Sequence, residues 1–366
     1  MDLLGVTAEV HDLKGTVYSK SAKINELEDK ITKLMVENQK LSEQLSDNLQ
    51  TKFSVDSIVK RESKIKGLFK YYTAITHERF KALFVFLHPE NFSLEYEKGR
   101  TDIKQLSNED GLFLTLVRQR HNFGLKDLAM RFALTVQSAG SIFNTWVGHM
   151  YFKFGQLSIW PHRDTIMKNM PKEFKMDFPN TLIIIDGTEL KTQTPGALGL
   201  QSQLYSDYKS STTLKALIGC DPSGSVTFIS ELFTGSISDK AITEQSGFYD
   251  LITQLKQHGY VKEGDAVMAD KGFTIGGELK ELGLSLNIPP FSASGSQMSA
   301  GDSYKTQKIA KHRVHIERLI AKVKTFQILS NTIPTYLFQS INKIWSICCF
   351  LTLFQDTFVT DKTIST

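Results

Sequence analysis

The fold class follows from one strand-like stretch, TLIIIDGTEL, residues 181–190. Its run of apolar and mostly β-branched residues predicts a buried strand, and Asp186 stands where that run ends. A second stretch, DAVMADKGF (265–273), carries an apolar run that ends at Asp270. Taken alone, either aspartate is an ordinary residue of a strand-end turn. The pair becomes a candidate site if the fold brings the two strand ends together.

Four further elements are predicted after the first strand. They are strands over 212–222 and 225–235, a helix over 239–259 with Asp239 as its N-cap, and a basic helix over 303–325. A three-stranded meander followed by a helix, a strand and a later helix is the element order of an RNase H-like α/β domain. We therefore expect residues 178–358 to form such a core, a mixed sheet flanked by helices. In that core the first strand lies beside the strand that ends at Asp270.

The N-terminal stretch INELEDKITKLMVENQKLSEQL (24–45) has the spacing of a coiled coil. Its seam residues alternate three and four apart: Ile24, Leu27, Ile31, Leu34, Asn38, Leu41 and Leu45. An asparagine at an a position favours a parallel dimer with a fixed register. We expect residues 1–50 to form a coiled coil and the chain to be a homodimer or a higher oligomer. The alternative is a single amphipathic helix that packs on the domain.

The region between the coiled coil and the sheet is predicted to be helical. Residues 51–105 have the pattern of a helical linker region, and residues 106–155 contain three short apolar helices. The break ALTVQS (133–138) resembles the turn of a helix-turn-helix. We predict a helix-turn-helix-like DNA-binding domain over 106–155. A plain packing module is the alternative, because the segment has little excess positive charge.

Composition limits the class of protein. With 366 residues, 41% hydrophobic and 22% charged, the chain has the make-up of a globular protein of about two domains. Its three cysteines form no CxxC pair, which fits a reducing compartment. The N-terminus has no secretory signal pattern, and the longest apolar run, IWSICCFLTLF (344–354), is too short to span a bilayer. We expect no membrane partner.

A third carboxylate is predicted to join the two aspartates. Glu317 is the only acid in the stretch 303–325, which carries seven Lys or Arg. Carboxylates that converge suit Mg²⁺ or Mn²⁺. Two such ions about 3.5–4 Å apart activate water and stabilise the leaving oxygen of a phosphodiester. Arg313 and Lys324 share the helix face of Glu317, where they would approach phosphates.

Other interpretations of these acids stay open. Asp239, Glu189 and Asp265 are competing candidates for the site. Glu317 could instead form a surface ion pair with Arg313, one turn before it on the same helix.

Several of these motifs, in order, resemble a known family. TLIIIDGTEL, LFTGSISDKAIT, GDAVMADKGF, LNIPPF and HRVHIERLIAKVKTFQIL are similar to motifs of the PIF/Harbinger-type DDE superfamily endonucleases, which are transposases. The stretch LTLVRQRHNFGLKDLAMRFALTVQSAGSIFNTWV resembles the helix-turn-helix region of the same family. The likeness covers about residues 106–356.

The resemblance implies a reaction and a set of residues. Asp186, Asp270 and Glu317 would be a catalytic triad that binds two divalent ions, Mg²⁺ or Mn²⁺. Enzymes of this family hydrolyse DNA at transposon ends, and the freed 3′-hydroxyl then attacks target DNA. Four cations would lie beside the DNA phosphates: Lys271, Arg313, Arg318 and Lys324.

The chain also departs from the family pattern. Many relatives begin with a zinc-binding domain, whereas this sequence has no Cys/His cluster, and Gly140 and Ser141 stand where relatives carry polar or basic residues. A separate DNA-binding partner protein is therefore an alternative source of end recognition.

Other functions and the location follow from the same reasoning. The runner-up function is a domesticated descendant that binds DNA or protein without cutting, and a third is a coiled-coil scaffold with an inert α/β domain. DNA as the partner places the expected site of action in the nucleus. The basic stretch KIAKHR (308–313) falls in the predicted catalytic helix and is not a clear import signal.

Overall fold

The structure is a computed structural model, and it describes five segments of the chain: residues 20–43, 53–88, 94–96, 106–291 and 299–356. The chain divides into two compact units, residues 1–60 and residues 61–366.

The N-terminal unit contains helix α1, residues 20–43, in which every residue is exposed. The predicted seam residues are among them, and Ile24 and Leu34 are each 54% exposed. Leu45, the last residue of the heptad pattern, lies outside the described residues. The continuous helix agrees with the heptad spacing, and its pairing with a second helix stays a prediction.

A series of helices comes before the sheet. It comprises α2 (Val55–Glu62), α3 (Leu68–Thr73), α4 (His77–Leu87), α5 (Asn108–His121), α6 (Leu125–Phe132), α7 (Val136–Phe154), α8 (Arg163–Asn169) and α9 (Lys172–Asp177). Ala133 ends α6 in the left-handed region with φ 53°. Thr135 then begins α7, because its side-chain oxygen accepts a hydrogen bond from the N–H of Ser138 at 3.1 Å. The break predicted at 133–138 therefore lies between two helices that pack on each other.

The sheet is mixed. Its strands are β1 (Thr181–Lys191), β2 (Tyr205–Ser206), β3 (Ser211–Cys220), β4 (Val226–Ile229), β5 (Phe233–Thr234), β6 (Ala266–Met268) and β7 (Ser285–Asn287). Their order is β2-β3-β1-β6-β7, with β4 and β5 pairing with β3. β1 and β3 are antiparallel, whereas β1, β6 and β7 are parallel neighbours. A mixed sheet flanked by helices agrees with the predicted RNase H-like core.

The remaining helices lie between the strands in the chain or after the last strand. They are α10 (Leu198–Leu204), α11 (Asp239–Gln245), α12 (Phe248–Gln257), α13 (Gly276–Glu281), α14 (Ala300–Val323), α15 (Gln327–Ser330) and α16 (Ile341–Leu351). α11 and α12 cover one face of the sheet, where Ile242 and Phe248 pack with Ile183 and Ile185 of β1. Because alternate strand residues point to opposite faces, Asp186 points to the other face, on which α14 contacts β1 and β3.

Three predicted elements differ from the structure. The helix predicted over 239–259 is two helices, because Gly247 adopts φ 77° between them. Ser238, and not Asp239, is the N-cap, since the Ser238 side chain accepts from the N–H of Ala241 at 3.1 Å. The strand predicted over 225–235 is broken into β4 and β5.

The remaining expectations concern thiols and membranes. Cys220, Cys348 and Cys349 are buried free cysteines. None of the described helices combines the length and the hydropathy needed to cross a bilayer.

Candidate active site

Asp186 and Asp270 stand at equivalent points of neighbouring strands. β1 and β6 run parallel with Ile184 opposite Met268, and each aspartate follows two residues later in its own strand or just beyond it. The prediction that these two strands are neighbours is confirmed. Asp186 is partly buried at the sheet, and Asp270 is exposed. Asp186 lies in the middle of β1 and Asp270 just beyond β6, so both carboxylates follow the point where the pairing of these two strands ends.

Arg313 of α14 connects the two carboxylates. Its Nη1 donates a 2.9 Å hydrogen bond to Oδ1 of Asp270, and its Nη2 lies 3.5 Å from Oδ2 of Asp186. The Arg313 side chain is only 13% exposed. A guanidinium held between two carboxylates offsets their mutual repulsion, which the sheet geometry would otherwise impose.

Burial dominates the electrostatics of Asp186. Removal from water raises the pKa of this carboxyl to about 6, and the Arg313 charge and the Gly187 N–H act in the opposite direction. The Gly187 N–H donates to Asp186 Oδ1 at 2.9 Å. The charges of Asp270 and Asp239 raise the pKa further. Asp186 is thus a carboxyl whose ionised form depends on nearby positive charge.

Glu317 lies one turn after Arg313 on α14. Its side chain is exposed, while Ile316 and Leu319 beside it are buried against the sheet. The alternative of an ion pair between Glu317 and Arg313 is not what the structure has, because Arg313 pairs with the two aspartates. Among the described residues, no group of three or more His, Cys, Asp or Glu is arranged to hold a metal ion.

Asp239 lies close to both aspartates, although sequence reasoning ranked it below them. A Cβ atom placed on Gly187 would lie 3.0 Å from Oδ1 of Asp239, and one on Gly272 would lie 2.7 Å from Oδ2. The lack of side chains at these two glycines therefore admits the carboxylate beside the chain that follows each aspartate. Lys215, with Nζ 2.8 Å from Oδ1, holds Asp239 in place. The sequence feature that could have revealed this approach of Asp239 is the glycine one or two residues after each aspartate.

The other competing acids have different partners. Asp265 is 1% exposed, and Arg163 donates to both of its oxygens at 2.8–3.1 Å. Glu189 accepts a 2.8 Å hydrogen bond from the Thr213 hydroxyl. Asp265 is therefore a structural ion pair, at the opposite end of β6 from Asp270.

The four predicted phosphate contacts do not form one cluster. Arg313 contacts the aspartates, and Lys271 lies over the Phe291 ring at 5.3 Å. Burial lowers the pKa of Lys324, as does the charge of Lys209, while Glu189 and Asp186 raise it, so Lys324 is electrostatically linked to the site. Arg318 is exposed on another side of α14, where it lines a separate cleft.

The donor set at the strand ends has the chemistry of a hard-cation site. Carboxylate oxygens are the ligands that Mg²⁺ and Mn²⁺ prefer. Asp186 and Asp270 already share one cationic group, the Arg313 guanidinium, and Asp239 adds negative charge nearby. These residues fit a divalent cation as an alternative counter-charge to Arg313.

The helix-turn-helix candidate is partly used for packing. α7 packs against α5 and α6, and also against α16, which follows the sheet. Trp146 and Met150 of α7 are fully buried, whereas Gln137 and Asn144 are exposed. The solvent-facing part of α7 therefore combines such polar residues with two exposed apolar ones, Val136 and Phe152.

Two protein families match the chain, one over the region that contains the sheet and one over α5 to α7. Residues 185–352 match the family described as DDE superfamily endonuclease, and residues 104–156 match the helix-turn-helix of DDE superfamily endonuclease. No curated protein matches the chain. The first match begins one residue before Asp186 and includes Asp270 and Glu317. The two matches together support a DDE superfamily endonuclease with its helix-turn-helix region.

Proposed function

We propose, from the match to DDE superfamily endonucleases, that this chain is a metal-dependent DNA endonuclease of the transposase type. The observation that carries the proposal is that Asp186 and Asp270 each follow, by two residues, the last paired residues of two neighbouring parallel strands inside the matched range. We assign it to the PIF/Harbinger-type transposases on the motifs given above. Its substrate class is DNA, and its reaction is phosphodiester hydrolysis followed by strand transfer.

In this proposal Asp186, Asp270 and Glu317 are the carboxylates that hold two divalent ions, Mg²⁺ or Mn²⁺. Such ions, when bound, activate the attacking oxygen and neutralise charge on the phosphate. Arg313 would first release Asp270, because the Oδ1 atom that accepts its hydrogen bond is also a candidate metal ligand. Arg313 and Lys324 would then approach the phosphate oxygens, and Lys271 would lie on the exposed side.

The reaction has two steps. In the first, water attacks a phosphorus at the transposon end, the bond from phosphorus to O3′ breaks, and the 3′-oxygen takes up a proton. In the second, that 3′-hydroxyl loses its proton and attacks a phosphorus of target DNA, the bond from that phosphorus to the target O3′ breaks, and the released 3′-oxygen takes up a proton. Asp186, buried and close to Arg313, is suited to hold its ligand in one orientation through both steps.

We propose a role for each of the other regions. Residues 106–155 are a helix-turn-helix-like DNA-binding domain, residues 178–358 the RNase H-like nuclease domain, and residues 51–105 a helical linker region. Residues 1–50 would pair as a coiled coil with a second copy of the chain. A separate partner protein would supply end recognition if α7 does not. The expected site of action is the nucleus.

The experiment is a titration of Mn²⁺ into the full chain by calorimetry, followed by a nicking assay on supercoiled DNA with Mn²⁺. Asp270→Ala is the test variant, and Asp250→Ala, an exposed aspartate of α12, is the matched control. We expect the wild type and the control to bind Mn²⁺ and nick DNA, and Asp270→Ala to lose both. Equal binding and nicking by all three proteins would overturn the assignment of Asp270.

A second function is favoured by one observation. Arg313 already pairs with both Asp186 and Asp270, and the described residues contain no three-ligand metal group. A domesticated descendant that binds DNA or protein without cutting it would keep this closed arrangement. DNA binding without Mn²⁺ binding or nicking would favour that function.

A further inference from the structure

A cleft of about 470 Å³ lies between α9 and α14, apart from the two aspartates. Lys172, Glu173 and Phe174 line it from α9, and Lys311, His315 and Arg318 line it from α14. Arg313 and Lys311 are two residues apart, so they project about 200° apart around the helix. The cleft and the candidate active site therefore flank opposite sides of α14.

The cleft carries uncompensated positive charge. Lys311 and Glu173 neutralise each other through an ion pair of 2.8 Å. Lys172 and Arg318 are exposed, and neither forms an ion pair with any residue in the described segments. Two cations thus remain available to a ligand at the mouth of the cleft.

The walls of the cleft are held in place by contacts below its mouth. Asp177 of α9 accepts from Lys308 at 2.7 Å and pairs with His312 Nε2 at 2.9 Å. The Phe174 ring lies 4.5 Å from the His312 ring, centroid to centroid. α9 is therefore fixed to α14 without any ligand, and a ligand would enter a cleft that is already formed.

His315 adds a hydrogen-bonding group to the lining. Its Nδ1 atom is buried and has no hydrogen-bond partner among the described residues. A buried nitrogen without a partner is unfavourable, and a ligand oxygen or N–H would satisfy it.

We propose that this cleft binds a backbone phosphate of a DNA strand, held by Lys172 and Arg318 beside the ring of His315. The choice of DNA rests on the proposed function, and the anionic class of the ligand rests on the cleft itself. The cleft is much larger than a single phosphate, so it has room for the sugar that adjoins the phosphate in a strand.

The test measures binding of the full chain to a fluorescent duplex oligonucleotide by anisotropy, in EDTA, over a series of salt concentrations. The cleft variant is Lys172→Ala with Arg318→Ala. The matched control is Lys262→Ala with Lys280→Ala, which removes two exposed lysines from the region around β6 and α13. We expect the cleft variant to bind DNA roughly 10-fold or more weakly. We also expect the slope of log affinity against log salt concentration to become shallower by about one to two. We expect the control to stay within about threefold of wild type.

The outcomes separate this inference from the proposed function. If wild type and cleft variant bind DNA equally, or if the control loses as much as the cleft variant, the cleft is not a DNA site. If wild type binds no DNA at all, the proposed function fails together with the cleft. Inorganic phosphate is titrated in parallel by calorimetry. If the cleft variant loses phosphate binding but keeps its DNA affinity, the cleft binds free phosphate, and the proposal that its ligand is a DNA strand is wrong.

Discussion

Nη1 of Arg313 donates a 2.9 Å hydrogen bond to Oδ1 of Asp270 and so joins α14 to the end of β6. The same guanidinium reaches Asp186 on the neighbouring strand at 3.5 Å. Its Nε atom is buried and has no partner among the described residues. One guanidinium therefore contacts two carboxylates that lie close together and offsets their repulsion, and any cation that binds them competes with it.

The first prediction concerns this competition. Arg313→Ala should lower the free energy of unfolding in EDTA by about 1–3 kcal/mol, because it removes charged hydrogen bonds and leaves the carboxylates facing each other. The same variant should gain more thermal stability from Mn²⁺ than wild type does, since no guanidinium has to be displaced. Thermal unfolding in EDTA and in Mn²⁺ measures both effects.

Arg318→Ala is the control for this prediction. It removes an arginine from the same helix, at an exposed position that does not contact either aspartate. Its response to Mn²⁺ should equal that of wild type. An identical Mn²⁺ response in Arg313→Ala would mean that Arg313 does not compete for the carboxylates.

The second prediction is a dependence of stability on pH. Burial raises the pKa of Asp186 to about 6, above the roughly 3.9 of an unfolded aspartate, so the native state binds this proton more tightly. The stabilisation from protonation is fully present below about pH 4 and is lost as the pH rises through about 6. Asp186→Asn should therefore become more stable than wild type by roughly 2 kcal/mol at pH 7.5, with little difference at pH 4.

Urea unfolding from pH 4 to pH 8 in EDTA measures this difference. Asp250→Asn, an exposed carboxylate of α12, controls for the removal of one charge. A constant offset between Asp186→Asn and wild type across this range would contradict the raised pKa.

The third prediction uses the close approach of Asp239 to Gly272. A Cβ atom on Gly272 would lie 2.7 Å from Oδ2 of Asp239, which Lys215 holds at 2.8 Å through the other oxygen. Gly272→Ala should destabilise the protein by about 1–3 kcal/mol through this overlap. The cost should fall by about 1 kcal/mol or more when Asp239→Ala is also present, a coupling that a double-mutant cycle measures.

Gly277→Ala is the matched substitution for this cycle. A Cβ atom there would meet nothing within 4 Å, and the residue lies in α13, so it should change stability little or increase it. Full additivity of Gly272→Ala and Asp239→Ala would show that the two residues do not meet.

The placement of the two aspartates could be predicted from the sequence because it depends on element order. Apolar β-branched runs identify strands, and the order of strands and helices in this chain restricts them to few arrangements. The parallel pairing of β1 with β6 brought Asp186 beside Asp270 as expected. The break at 133–138 was also predictable, because a cap residue such as Thr135 has a local signature.

The contacts made by side chains within the site could not be predicted in the same way. Asp239 was assigned as a helix cap, but the Ser238 hydroxyl takes that role and leaves the carboxylate free to reach Lys215. Arg313 was expected to meet phosphate or Glu317, whereas its length and the spacing of two strand ends let it bridge two aspartates. Such contacts depend on distances between elements far apart in the chain, and sequence spacing does not contain them.

The fourth prediction concerns α1, whose apolar seam is exposed along its whole length in the single chain. Most of the stability of a helix in a protein comes from packing of its apolar face, and burial of each seam Leu or Ile would contribute roughly 1.5–3 kcal/mol. Isoleucine at a positions with leucine at d positions favours two parallel strands, and Asn38 at an a position fixes their register. We therefore expect the full chain to have twice its monomer mass of 41.3 kDa.

Light scattering after size-exclusion chromatography measures that mass, and two lysine substitutions separate the seam from the rest of the helix. Leu34→Lys places a charge at a d position and should reduce the mass to that of the monomer. Val36→Lys changes a residue that is even more exposed, 63% against 54%, but lies off the seam, so the dimer should persist. Dissociation by both substitutions would point to a loss of helix rather than of a specific seam. A wild-type chain of monomer mass would leave α1 without a second copy as its partner.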